Sequence, residues 1–132
     1  MNFHINLFCA VFLEYLNMTN QLITSINKIN SVYDLSLEGR LDASSSSDLG
    51  EKLKNILSSP HVKVVVDCSN LNYLSSAGMR FFLMSTKTIK ANFGQICFCH
   101  FQPDVMEIIK MAGFESILKI FPTKDEALAS FL

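Results

Sequence analysis

The segment Val62-Lys63-Val64-Val65-Val66-Asp67-Cys68 constrains the fold more than any other part of the chain. It is a nearly continuous apolar run rich in β-branched residues. A strand with one solvated face would alternate, so this run predicts a central strand covered on both faces. The neighbouring patterns supply partners for it. Tyr33, Leu35 and Leu37 alternate with Asp34, Ser36 and Glu38, which predicts a half-buried strand that ends in a loop at Gly39-Arg40-Leu41-Asp42. Leu22 to Ile29 alternates loosely and reads as an edge strand, with Asn30-Ser31 as a turn. Gln95 to Phe101 is a second apolar strand.

Helical patterns fall between these strands. Leu49, Leu53, Ile56 and Leu57 share one stripe, with possible N-caps from Ser44 to Ser47 and a break at Ser58-Ser59-Pro60. A second helix opens at Ser75-Ser76-Ala77-Gly78 and runs to about Ala91. Its inner face is Met79, Phe82, Leu83, Thr86 and Ile89, and Asn92-Phe93-Gly94 closes it. Pro103 starts a third helix, with Val105, Ile108, Ile109 and Ala112 facing inward and Gly113 suited to the C′ position. Ile117 to Phe121 reads as a short strand. Thr123-Lys124-Asp125-Glu126 is a capping box for a last helix that buries Leu128 and Phe131. Strands alternating with helices imply an α/β domain. The expected architecture is a mixed sheet of about four to five strands packed with about four helices, its parallel crossovers right-handed.

At 132 residues the chain is expected to form a single such domain. With 49% hydrophobic and 17% charged residues it is too apolar for a disordered chain. A formal net charge of −1 argues against nucleic acid or an anionic membrane as partner, since either would call for a basic excess. Cys9, Cys68, Cys97 and Cys99 lack the repeated spacing of a zinc site, and His4, His61 and His100 are scattered. Cys97 and Cys99 are two apart on a strand, so both thiols share one face. The expectation is small buried thiols in a reduced, cytoplasmic protein, with no metal or other cofactor. The stretch Ile5 to Leu13 is apolar apart from Asn6, is too short to span a bilayer, and lacks the flanks of a secretory signal. Residues 1–17 are therefore expected to be an N-terminal extension before a domain over 18–132. The extension either packs as a helix on the body or on a second copy, or precedes a translation start at Met18.

Chemistry centres on Leu74-Ser75-Ser76-Ala77-Gly78-Met79-Arg80. A helix N-terminus favours negative charge through its free N–H groups and its dipole, so a serine there is well placed to carry a phosphate. A nucleophile elbow needs small residues on both sides of the serine, and Leu74 stands where the first glycine belongs. No histidine lies at a recognisable partner position, and neither phosphate-loop nor dinucleotide glycine pattern occurs. Two readings of the serines remain: helix capping, or a switch written by another enzyme. Neither makes this chain an enzyme.

The chain resembles the STAS domain family, and specifically the bacterial anti-sigma factor antagonists, from about Leu22 to Leu132. The resemblance is carried by Leu37-Glu38-Gly39-Arg40-Leu41-Asp42, by Val64-Val65-Val66-Asp67-Cys68-Ser69-Asn70-Leu71, by Tyr73-Leu74-Ser75-Ser76-Ala77-Gly78-Met79-Arg80 and by Phe114-Glu115-Ser116-Ile117-Leu118, in this order. It implies that the serine two before the glycine, Ser76, is phosphorylated by a partner anti-sigma factor that is itself a serine kinase. The unphosphorylated antagonist would bind that kinase and free the sigma factor, and a metal-dependent serine phosphatase would restore it. Family members often carry aspartate just before the target serine, where this chain has Ser75, so Ser75 stays open as the acceptor. Asp42 matches the family's acidic residue at the end of the second strand. The resemblance thus implies a partner surface of Asp42, Ser75, Ser76, Ala77, Gly78, Met79 and Arg80, without membrane insertion. The alternative it leaves is a STAS adaptor in another assembly, such as a stress-signalling scaffold or the cytoplasmic subunit of a lipid transporter. A ligand-binding or enzymatic domain is the remaining reading.

Overall fold

A computed structural model describes residues 21–131, together with Cys9 and Val11. The expected extension over 1–17 otherwise lies outside the described residues. The elements are β1 (Leu22–Ile29), β2 (Val32–Leu41), α1 (Ala43–Leu57), β3 (Lys63–Leu74), α2 (Ser76–Ala91), β4 (Gln95–Cys99), α3 (Pro103–Met111), β5 (Ile120–Phe121) and α4 (Lys124–Ala129). The sheet order is β1-β2-β3-β4-β5. β1 runs antiparallel to β2, and the other neighbours are parallel. This is the mixed five-stranded α/β sheet with four described helices that the alternating pattern predicts.

β3 is covered on both faces, as its composition requires. Val64, Val66 and Cys68 join Leu35, Leu37, Ile96 and Phe98 beneath α1, α2 and α3. Val65 faces the other way with Val32, Cys97 and Cys99, under Ala127 and Phe131. Cys97 and Cys99 thus share one face, as expected. The three-helix layer carries the larger core, where Phe82 of α2 stands 4.8 Å from Phe98 between ring centroids.

Several boundaries differ from expectation. β2 does not stop before Gly39 but continues to Leu41, and β3 does not stop at Cys68 but continues to Leu74. The cause lies in the β2–β3 ladder. Ser36 pairs with Asp67 but Glu38 with Asn70, and Gly39 pairs with Leu71 but Arg40 with Tyr73. At each step β3 carries one extra residue. The bulges break its alternation, so a paired strand reads as a polar loop. Gly39 is needed at this turn of the ladder: its φ is +107, and an added Cβ would collide with the Gln21 carbonyl oxygen. β4 ends at Cys99, two residues early, where His100 takes φ +61. Ile117 lies in a turn whose N–H reaches the Phe114 carbonyl, so β5 keeps only its last two residues. On α3, Val105 and Ile109 are buried as predicted, but Ile108 is 41% exposed and Ala112 is exposed. The helix lies at the margin of the layer, so only a narrow stripe is covered. Gly113 takes φ +79 just past the α3 C-cap, as its placement predicts.

Candidate functional site

β2 and β3 are parallel neighbours, and Leu41 pairs with Leu74 at their ends. Each strand passes directly into a helix, so two helix N-termini open side by side. Asp42 caps α1, in place of the expected Ser44 to Ser47. Its Oδ1 accepts from the Ser45 N–H at 3.0 Å, while the Asp42 N–H donates to Ser45 Oγ at 2.9 Å. These two bonds make a reciprocal box. The backbone hydrogen bond from Ser45 holds the Asp42 carboxyl below its ordinary range, with further help from the Ser45 hydroxyl.

Ser75 caps α2 with φ −84 and ψ 172. Its hydroxyl oxygen accepts from the Gly78 N–H at 3.1 Å and donates its proton to the Leu41 carbonyl at 3.2 Å. Its own N–H donates to the same carbonyl at 3.0 Å. Ser75 thus ties the start of α2 to the end of β2. Gly78 and Met79 lie buried under the corner. A Cβ on Gly78 would come within 2.6 Å of the Leu41 carbonyl oxygen, so these two residues shape the corner from within and offer no surface. Ser76 is the first residue of α2 and is exposed, Ala77 is half-buried, and Arg80 is exposed one turn further along. Of the residues expected to form one surface, the corner therefore presents Ser76, Ala77 and Arg80, with Asp42 half-buried on the adjoining helix start.

The sequence reading missed one neighbouring pair. Arg40 and Tyr73 are opposite one another, and the guanidinium carbon lies 3.8 Å from the ring centroid. Tyr73 is 37% exposed, so this cation–π pair forms a firm outward-facing feature beside the corner. Its register depends on the two bulges, and no signal in the bare sequence reveals it.

A second polar cluster sits on the opposite face of the sheet. Lys124 Nζ lies 2.8 Å from Asp34 Oδ2 and 3.0 Å from Asp67 Oδ2. Burial by itself raises the Asp67 carboxyl, but the Ser69 N–H and the Lys124 ammonium outweigh it and leave a net lowering. Burial would lower Lys124, and its two carboxylates instead hold it above its ordinary value. Asp67, Cys99 and His100 could each turn a donor atom toward a common point. Those donors are engaged otherwise: Asp67 holds Lys124, and His100 Nε2 accepts from the Lys124 N–H at 3.1 Å. Burial pushes the Cys99 thiol up to about 12, which disfavours the thiolate a metal needs. The cluster fastens α4 to the sheet.

Fold and corner together define a single mixed-sheet module that displays a serine at a helix start beside the end of a parallel strand pair. Residues 24–127 match the STAS domain, and the chain belongs to that family. The Bordetella bronchiseptica protein BtrV, which is named for an anti-sigma factor antagonist role, is 28% identical over 107 residues, covering 81% of this chain and 92% of that protein. An anti-sigma factor antagonist from Mycobacterium paratuberculosis superposes with a TM-score of 0.73 at 20% identity, covering 84% of this chain and 94% of that one. The Bacillus cell fate determinant SpoIIAA in its phosphorylated form superposes with a TM-score of 0.63 at 14% identity, covering 83% of this chain and all of that one (100%). Among the described residues no helix is long and apolar enough to cross a membrane.

Proposed function

We propose that this chain is an anti-sigma factor antagonist whose unphosphorylated form binds an anti-sigma factor serine kinase. Phosphorylation of Ser76 ends that binding, and a metal-dependent serine phosphatase of another chain reverses it. The module acts by binding in the cytoplasm and catalyses nothing itself; its STAS domain occupies 18–132. The observation that carries this reading is the division of labour between the two serines. Ser75 spends its hydroxyl on Gly78 and Leu41, whereas Ser76 is exposed at the first position of α2. The naming of BtrV as an antagonist and the phosphorylated state of SpoIIAA add to it.

The energetics suit a switch. A phosphate adds roughly −1.5 to −2 charges, and the N-terminus of α2 tolerates them. Arg80, four residues on, lies on the same side of the helix and can pair with the phosphate. The fold then need not change. A partner fitted to a neutral serine must instead desolvate the phosphate. A unit like-charge pair about 5 Å apart costs on the order of 3 kcal/mol at an effective dielectric near 20. Swinging a population from mostly bound to mostly free takes about 5.5 kcal/mol, within reach of repulsion, desolvation and steric block together.

The test is phosphate incorporation from ATP with the cognate kinase. Wild type and Ser75→Ala should label, and Ser76→Ala should not, while still binding the kinase. Undiminished labelling of Ser76→Ala with loss in Ser75→Ala reverses the assignment. A native partner that is a transporter ATPase and not a kinase establishes the adaptor role instead.

A further inference from the structure

Among the described residues, β1 is the long free edge of the sheet. Its eight residues pair with β2 in an unbroken register from Leu22↔Gly39 to Ile29↔Val32, and among the described residues no strand lies on its other side. The opposite edge, β5, has only two residues. Long edges are ordinarily blunted by charges, proline or a bulge. β1, with sequence LITSINKI, carries a single charge, Lys28, and no proline. Lys28 is drawn back over its own sheet, with Nζ 5.0 Å from the Tyr33 ring centroid. The strand also exposes three large apolar side chains: Ile23 at 57%, Ile26 at 36% and Ile29 at 39%.

The spacing of these isoleucines identifies an occupant. The two-residue turn at Asn30 and Ser31 closes β1 on β2. A turn of this length closes on a hydrogen-bonded pair, so Ile23, Ser25, Asn27 and Ile29 direct their backbone groups to β2. Leu22, Thr24, Ile26 and Lys28 direct theirs outward. Two such edges meet in antiparallel fashion about a two-fold axis at Ile26. Ile26 then faces Ile26 of the second copy, Thr24 faces Lys28, and Ile23 faces Ile29. The outward groups form about six ladder hydrogen bonds, and all three isoleucines are covered in matched pairs. A slip of two residues either way sets Ile26 against Thr24 or Lys28 and leaves no isoleucines opposite one another.

We infer that β1 is a self-complementary docking edge through which two copies of this chain join their sheets into one continuous sheet. The interface is isologous, as a closed dimer requires. A single strand pair lies at the low end of the about 1,000 Å² that marks stable association, so the dimer is reversible and follows concentration. It uses a different part of the molecule from the Ser76 corner and does not depend on phosphorylation.

Sedimentation equilibrium over a concentration series reaching the high micromolar range tests this. The wild type should move from monomer to dimer mass. Ile26→Lys sets two ammonium groups opposite each other at the axis and should weaken association by at least about tenfold. A thermal melt checks that the variant is folded. Register is read independently by cross-linking in a Cys9→Ser background, with copper–phenanthroline as oxidant. Paired strand residues have Cα atoms about 5.5 Å apart, within disulfide reach, so Ile26→Cys should form a covalent dimer. Thr24→Cys lies about 14 Å from its own counterpart and should not. A wild type that stays monomeric throughout, a dimer indifferent to Ile26→Lys, or cross-linking equal at 24 and 26 overturns the proposal.

Discussion

Replacing Gly78 by alanine sets two effects of opposite sign against each other. Gly78 is the third residue of α2, and helix propensity alone favours alanine there by about 1 kcal/mol. The new Cβ, however, would stand 2.6 Å from the Leu41 carbonyl oxygen, 2.8 Å from Leu74 Cδ1 and 3.0 Å from Leu41 Cγ. The leucine tip can turn aside, but the carbonyl cannot. It accepts from the Ser75 N–H at 3.0 Å and from the Ser75 hydroxyl at 3.2 Å, and moving it breaks one or both bonds. Overpacking costs about 1–3 kcal/mol, and each lost bond about 1 kcal/mol. Against the propensity gain, the net loss is about 2–3 kcal/mol, which lowers Tm by about 10 °C for a domain of this size. Gly50 is the control: its nearest neighbour is Phe81 Cε2 at 3.6 Å, an ordinary contact, so Gly50→Ala should gain up to about 1 kcal/mol. Urea titration reads both, and the Gly78 variant should lose midpoint at unchanged slope. A Gly78→Ala protein as stable as the wild type would refute the claim that α2 is braced against Leu41.

Other perturbations probe the same scaffold. Ser75→Ala removes the α2 cap and the tie to Leu41 and should cost about 1–2 kcal/mol in urea titration. Lys124→Met leaves Asp67 without its cation and should cost about 2 kcal/mol at neutral pH, below the range for a fully buried pair because the Lys124 side chain is 27% exposed. The difference has a defined pH profile. Asp67 lies below 3.8 in the folded wild type, so its contribution is full above 3.8 and lost as pH falls through the lower folded value. Lys124 lies above 10.5, so its contribution is full below 10.5 and lost as pH rises past that. Denaturation of both proteins across pH should show the gap narrowing at both ends, and a constant gap would sever it from the ion pair. Deleting residues 1–17 should change stability by less than about 1 kcal/mol, while a loss of several would show that the extension packs on the domain.

The sequence is most legible where burial alone writes the pattern. The Val62–Cys68 run, the Leu35 and Leu37 alternation and the Phe82 and Ile89 stripe all lie where their periodicity predicts, because a wrong face would expose them. Legibility fails where three-dimensional pairing decides. The bulges that stretch β3 to Leu74 depend on the neighbouring β2, and with them go the Arg40–Tyr73 pair and the identity of the α1 cap. Four serines in a row suggest a cap by composition, yet strand length hands the role to Asp42. The salt link from Lys124 to Asp34 and Asp67 crosses 90 positions in its longer reach, and no local pattern encodes it. The serine corner itself is legible because capping is local: a strand, a polar pair and a glycine three residues after the cap.

That locality also separates the two serines energetically. A hydroxyl that caps a helix must keep its oxygen on the third amide and, here, its proton on the Leu41 carbonyl. Converting Ser75 to a phosphoester removes the proton and brings negative charge against that carbonyl. At least one bond is lost and one repulsion gained, about 2 kcal/mol or more. Ser76 carries no such duty, and a phosphate on it gains from the helix dipole and from Arg80 within one turn. A difference of about 2 kcal/mol corresponds to roughly thirtyfold, without any help from kinase recognition. The geometry that fixes Ser75 as the brace is thus the same geometry that makes Ser76 the less costly of the two to phosphorylate in the proposed switch. A kinase acting on Ser75 would first have to release its hydroxyl from the Leu41 carbonyl and the Gly78 N–H.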